Sequence, residues 1–223
     1  MSVKSLFAYT ATLLLVLSLK SVVFDYHKVP SESMEPNIEV GGAVFVNKLA
    51  YGLRAPFSDT YLLRWGEPSP ADIVILSSPV GGFNNWVKRI VGVQGSSFDI
   101  QDGNIFINGY QLECTDLYYS GDNKGLCLER LGPFSYIVNW ESIGASKYPF
   151  ESIVVPKDHV FVLGDNRNHT AVSSPVHIDT VLGEVLYVSL GKYTLYFTLI
   201  YSVFVFAVYF ILLGFLNRII RSK

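Results

Sequence analysis

Trp86-Val87-Lys88-Arg89-Ile90-Val91-Gly92-Val93 is a run of β-branched and aromatic residues with two adjacent bases near its centre. Such residues fit a pleated surface, and the run reads as a strand. A period of two puts Lys88 beside Trp86 and Ile90, and Arg89 beside Val87 and Val91. Both faces are therefore apolar, and alternation cannot choose between the two bases.

Similar short runs surround it: Gly42 to Leu49, Asp72 to Leu76, Ile105 to Ile107, Tyr136 to Trp140, Ser152 to Val155, Val160 to Leu163 and Val181 to Val188. Asp102-Gly103 and Asn108-Gly109 sit between apolar residues and suit tight hairpin turns, whose central residues take positive φ. The reading is a mainly β protein, with a twisted antiparallel sheet system forming one partly closed, barrel-like domain. No internal repeat or linker divides it, and an irregular insertion is expected near Leu117 to Pro133.

Both ends of the chain are different. Ser5 to Phe24 is apolar apart from Lys20, and Tyr193 to Leu216 carries no charge. Each is long enough to cross about 30 Å of hydrocarbon as a helix. The first run lacks an A-x-A-like cleavage site at its end and is read as a retained anchor. Lys4 at one outer flank, and Arg218, Arg221 and Lys223 at the other, place both termini on the cytoplasmic side. The expected organisation is an anchor over 1–27, an extracytoplasmic β-rich domain over 28–192, and a second membrane helix with a basic tail over 193–223.

Composition agrees with contact with lipid, since 50% of residues are hydrophobic and 16% charged. With 17 basic against 19 acidic residues there is no polyanion-binding signature, so nucleic acid is not expected as a partner. Cys114 and Cys127, the two cysteines, form either one disulfide or two free thiols. No residues have metal-ligand spacing, and no metal or organic cofactor is expected.

Three clusters have the residue types for chemistry. The first is Val29-Pro30-Ser31-Glu32-Ser33-Met34-Glu35-Pro36, where two prolines favour a rigid, extended segment. Ser31 and Ser33, two apart, would then project to the same side. A serine needs a neighbouring base to become a nucleophile. Burial lowers the pKa of a lysine but leaves a guanidinium protonated, so Lys88 rather than Arg89 is the candidate base. The third cluster, Gly164-Asp165-Asn166-Arg167-Asn168-His169-Thr170, follows an apolar strand and is dense in polar groups for a chain this apolar.

In order and content these clusters resemble the type I signal peptidase family of membrane-bound Ser/Lys proteases. The matching stretches are Pro30 to Pro36, Pro70-Ala71-Asp72-Ile73-Val74, Lys88 to Gly92, and Gly164 to Arg167. The resemblance implies that Ser33 attacks the scissile carbonyl and Lys88 accepts its proton. It gives Ser31 an oxyanion-stabilising hydroxyl, Thr170 an orienting hydroxyl near the amine, and Gly164, Asp165, Asn166 and Arg167 a supporting loop. Val29, Met34, Ile38, Trp86 and Val87 fall where the family lines shallow pockets for small substrate residues. The family's Asp-Ser-Arg triplet is replaced here by Val172-Ser173-Ser174, which implies altered support or specificity.

The expected partners are preprotein signal peptides, a lipid bilayer and secretion machinery, and the expected location is a bacterial inner (plasma) membrane or, alternatively, a mitochondrial inner membrane. Three further readings stay open: a dedicated processing peptidase of a secretion or conjugation system, an inactive membrane assembly factor, and a histidine base drawn from His169 or His177 with Asp165 or Asp179.

Overall fold

Trp86–Val93 forms a strand (β6) with the bounds read from the sequence, inside a seven-stranded sheet. The computed structural model describes residues 3–78, 85–101, 104–117, 125–140, 152–167, 175–189 and 194–221. The sheet also contains β1 (Phe24–Lys28), β2 (Ala43–Asn47), β5 (Ile73–Leu76), β14 (His159–Leu163), β15 (Val176–His177) and β16 (Val181–Ser189). Its order is β1-β2-β16-β5-β6-β14-β15, with every neighbouring pair antiparallel.

Register sets the neighbours of the two bases. Lys88 lies opposite Val74, while Arg89 lies opposite Ile73 on one side and Leu163 on the other. Apolar clusters cover both faces: Val29, Met34, Ile38, Val46, Ile75 and Val87 form one, and Tyr51, Val74, Ile90, Val160, Val162 and Val181 another. On β16, a Cβ at Gly183 would stand 2.5 Å from the Asn47 carbonyl oxygen, so no larger residue fits that crossing.

Three smaller sheets complete the domain. One is β13 (Ser152–Val154), β7 (Ser97–Gln101), β8 (Asn104–Ile107) and β9 (Tyr110–Gln111). Asn108 and Gly109 take φ of 53° and 78°, and they join Ile107 to its pair Tyr110 as a tight turn. Asp102-Gly103 falls outside the described residues. The second sheet is β10 (Cys114–Asp116), β11 (Leu126–Leu131) and β12 (Phe134–Asn139), with a disulfide joining Cys114 to Cys127. The third is a ribbon of β3 (Gly52–Arg54) and β4 (Tyr61–Arg64).

Two expectations are corrected. Among the described residues the seven-stranded sheet forms no closed barrel, because β1 and β15 end its order and do not pair with each other. Part of the expected irregular insertion, Leu126–Leu131, is the central strand of the three-stranded sheet.

Helix α1 spans Val3–Val23 and helix α2 Thr194–Arg221, and the two pack against each other. Counted over the described residues, no helix is long and apolar enough to cross a membrane, so the fold does not by itself establish the two expected crossings.

Candidate active site

Ser33 sits in a short 3-10 turn, Glu32–Met34, between β1 and β2. The proline-flanked segment is therefore extended at Ser31, at φ −131° and ψ 156°, and again at Glu35, with the turn between them. Met34 and Ile38 are fully buried and pin the turn from below, and the Ile38 N–H donates to the Met34 carbonyl at 2.9 Å. The Ser31 and Ser33 hydroxyl oxygens lie 3.3 Å apart, Ser31 exposed and Ser33 half-buried.

The Gly164–Arg167 loop straps this turn to the edge of β12. The Asn166 N–H donates to the Ser33 carbonyl at 3.1 Å. On the other side, the Asn139 N–H donates to the Asp165 carbonyl and the Arg167 N–H to the Asn139 carbonyl, both at 2.9 Å. The loop's own side chains are buried and ion-paired. Asp165 accepts from Arg89 Nε at 2.8 Å and Nη2 at 2.7 Å, and from Asn37 Nδ2 at 2.7 Å. Arg167 donates to Glu129 Oε1 at 2.5 Å, with both side chains fully buried. One forked guanidinium contact, Arg89 on Asp165, and one single-bonded ion pair, Arg167 on Glu129, thus fix the strap that fixes Ser33.

Adjacent bases on one strand have opposite environments. Arg89 pairs with Asp165, donates to the Ala71 carbonyl and stacks 3.9 Å over the Tyr136 ring. Lys88 is only 7% exposed, and burial lowers its pKa to about 8, an effect that the negative Asp165 partly opposes. The turn carrying Ser33 packs against β6, the strand that carries Lys88. A direct Ser33–Lys88 hydrogen bond is not among those formed by the described residues. Catalytic hydrogen bonds are often long in the absence of substrate and tighten when it binds.

Of the pocket residues expected from the sequence, Val29, Met34, Ile38 and Val87 share one buried cluster beneath the turn. Trp86 is more exposed and is not part of that cluster. Thr170, His169 and the 172–174 triplet fall outside the described residues. Of the histidine alternative, His177 on the edge strand β15 lies with its Nδ1 3.3 Å from Asp179 Oδ2 and accepts from the Asp179 N–H, and Asp179 also pairs with Arg64.

Three supporting residues were not identified as such from sequence. Asn37 joins Asp165 to the Ile137 carbonyl, and Tyr136 carries Arg89. Glu129 neutralises Arg167, and its one available signal was an acidic residue inside an apolar run.

A family model for signal peptidase, peptidase S26, matches residues 2–190. Signal peptidase I of Pseudomonas aeruginosa is 31% identical over 170 residues, covering 73% of this chain and 59% of that protein. Thylakoidal processing peptidase 1, chloroplastic, of Arabidopsis thaliana is 29% identical over 187 residues, covering 81% of this chain and 46% of its own length. Signal peptidase I P of Bacillus subtilis subsp. natto is 26% identical, covering 73% of each chain. The chain thus spans 59% of the Pseudomonas relative's length. With that match over most of its length, the chain belongs to the signal peptidase family, peptidase S26.

Proposed function

We propose that this chain is a membrane-anchored serine endopeptidase that cleaves signal peptides from exported preproteins, with Ser33 as nucleophile and Lys88 as general base. The observation that carries the reading is Lys88 itself. It is a buried lysine with a pKa lowered to about 8, on the strand against which the Ser33 turn packs. A base poised near the working pH combines sufficient neutral amine with a useful driving force for proton transfer.

Neutral Lys88 Nζ takes the proton from Ser33 Oγ as that oxygen attacks the scissile carbonyl. The oxyanion is held by the Ser33 N–H and the Ser31 hydroxyl. The lysine ammonium then protonates the leaving amine, and water, deprotonated by the same amine, releases the acyl group from Ser33. Val29, Met34, Ile38, Trp86 and Val87 line the positions for small substrate side chains, and Thr170 orients the amine.

Helices α1 and α2 are the anchors in this reading. Their 21 and 28 residues correspond to about 31 and 42 Å of helix, and α2 carries no charge from Thr194 to Leu216. Ser33 follows the end of α1 closely, within roughly 30 Å even if the chain were fully extended. The cleavage site of a lipid-held signal peptide emerges at that height, and shared tethering raises the effective concentration of enzyme and substrate. The membrane assigned is a bacterial inner membrane with the β domain on the extracytoplasmic side.

Detergent-solubilised full chain is incubated with a preprotein, and the shorter product is measured for wild type, Ser33→Ala and Lys88→Ala. Cleavage by wild type and its loss in both variants supports the dyad. No cleavage by wild type supports an assembly role, and cleavage by Lys88→Ala overturns the base assignment.

A further inference from the structure

Asn37 is the point at which three separately built parts of the site meet. It follows Ser33 on the segment that carries the nucleophile, between the fully buried Met34 and Ile38. Its Nδ2 donates to the Ile137 carbonyl on β12 at 2.6 Å and to Asp165 Oδ2, in the loop after β14, at 2.7 Å. A side-chain amide has two N–H donors, and both are taken up here. Turning the amide over would set its own oxygen against a carboxylate and a carbonyl, so its orientation is fixed. The loop therefore holds the nucleophile segment twice, through the Asn166 N–H on the Ser33 carbonyl and through the Asp165 carboxylate on Asn37.

The identity of that acceptor matters as much as the position. Asp165 Oδ2 takes both Arg89 Nη2 and Asn37 Nδ2, each at 2.7 Å. Asp165 is also the charge that acts on Lys88, raising the pKa that burial lowers. Among the described residues, the other ionisable groups on the elements packed against β6 are Glu32 on the serine turn and His159 on β14, with Glu35 just past the turn, Asp72 just before β5, and Tyr136 over Arg89. None of these contributes to the shift of Lys88, and Arg89 and Arg167 are each paired with a carboxylate. The Asn37 amide turns the positive end of its dipole on Asp165 and so offsets part of the negative potential that reaches Lys88.

We propose that Asn37 is a positioning residue for the cleavage reaction, which registers the Ser33 turn against the Asp165 loop and shields the Lys88 amine from the Asp165 carboxylate. This deepens the Ser33–Lys88 reading given above and rests on it. One side chain then bears both on where the attacking hydroxyl stands and on how readily its base is held unprotonated.

The test compares detergent-solubilised full chain with Asn37→Leu, which keeps the size and branching of the side chain and removes both donors, and with Asn37→Ser, which keeps one donor. Preprotein cleavage is followed against pH for kcat and KM. In parallel, the pH dependence of Lys88 acetylation by acetic anhydride, read by mass spectrometry, follows the amine whether or not it is the catalytic base. For Asn37→Leu, kcat should fall about tenfold with little change in KM, because Asn37 is outside the pocket cluster. Both the cleavage limb and the acetylation limb should move up by about half a pH unit, leaving about threefold less neutral amine at pH 7. Asn37→Ser should recover part of kcat and move both limbs less, and it carries the same comparison if Asn37→Leu does not fold. A lowered kcat and thermal midpoint with both limbs unmoved would mean that Asn37 serves the fold, and would overturn the proposal. A shifted acetylation limb with an unshifted cleavage limb would show Asn37 acting on an amine that is not the base, which overturns the dyad reading and not the shielding.

Discussion

The seven-stranded sheet and the three-stranded β10–β12 sheet are held together by different means. The large sheet has apolar clusters on both faces, and that burial lets it hold an amine with a lowered pKa on β6. The small sheet carries a disulfide from β10 to β11 and, two residues beyond Cys127, the buried Glu129 that pairs with Arg167. The first supplies a desolvated base. The second supplies charge and covalent restraint to the strap that bonds the Ser33 carbonyl. In this arrangement reactivity rests mainly on the large sheet and positioning on both, and Asp165 of the strap joins them through Arg89 on β6 and through its charge on Lys88.

The largest effect should come from the base. Lys88→Ala is expected to reduce the preprotein cleavage rate by about 10⁴-fold in a single-turnover assay while leaving the circular-dichroism spectrum unchanged. In the wild type the rate should rise with pH through about 8, because the reactive amine is the unprotonated one and burial sets where its proton is lost. A rise that persists at the same pH in Lys88→Ala would assign it to another group.

Glu129→Ala breaks the positioning side of the comparison. It strands the buried Arg167 charge and should destabilise the protein by about 3–5 kcal/mol, read from urea denaturation. The same variant should lower the cleavage rate without moving the pH midpoint, since Lys88 sits on the other sheet. Ser31→Ala is expected to cost ~10²- to 10³-fold in rate with no change in stability, as for loss of one oxyanion donor. Replacing Cys114 and Cys127 together by serine opens the loop they close, of sequence separation 13, and should cost about 3 kcal/mol in the same denaturation measurement.

The smallest effect has the opposite sign. An unfolded lysine keeps its proton up to about 10.5, whereas folded Lys88 loses it near 8. Between those values the unfolded chain binds more protons, so stability rises with pH across that window, and below it the lysine is a burden of at most about 3 kcal/mol. Lys88→Met should therefore abolish cleavage and raise the unfolding free energy at pH 7. A Lys88→Met protein less stable than wild type would count against the desolvated amine.

Much of the large sheet was legible because its strands bury both faces and read as unbroken apolar runs. β6 matches its expected bounds, and β2, β5, β14 and β16 fall within or close to theirs. The β10–β12 sheet was partly hidden because β11 turns Cys127, Glu129 and Leu131 inward, and a glutamate at an inward position breaks the pattern that marks a strand. β1 was obscured differently: Phe24-Asp25-Tyr26-His27-Lys28 has no apolar alternation and follows a hydrophobic run directly.

At the site, local chemistry made Ser33, Lys88 and the Gly164–Arg167 loop recognisable as residue types. Lys88 was separable from Arg89 in advance because only an amine gives up its proton on burial. What the linear pattern did not contain was which base would be paired. Arg89 is neutralised by Asp165, 76 positions away, and Arg167 by Glu129, 38 positions away. Such pairings are set by strand order and register across separate sheets, and neither is encoded in neighbouring residues. The sequence alone determined which side chains have the chemistry, and the tertiary structure decided which of them are desolvated and which are held by a partner.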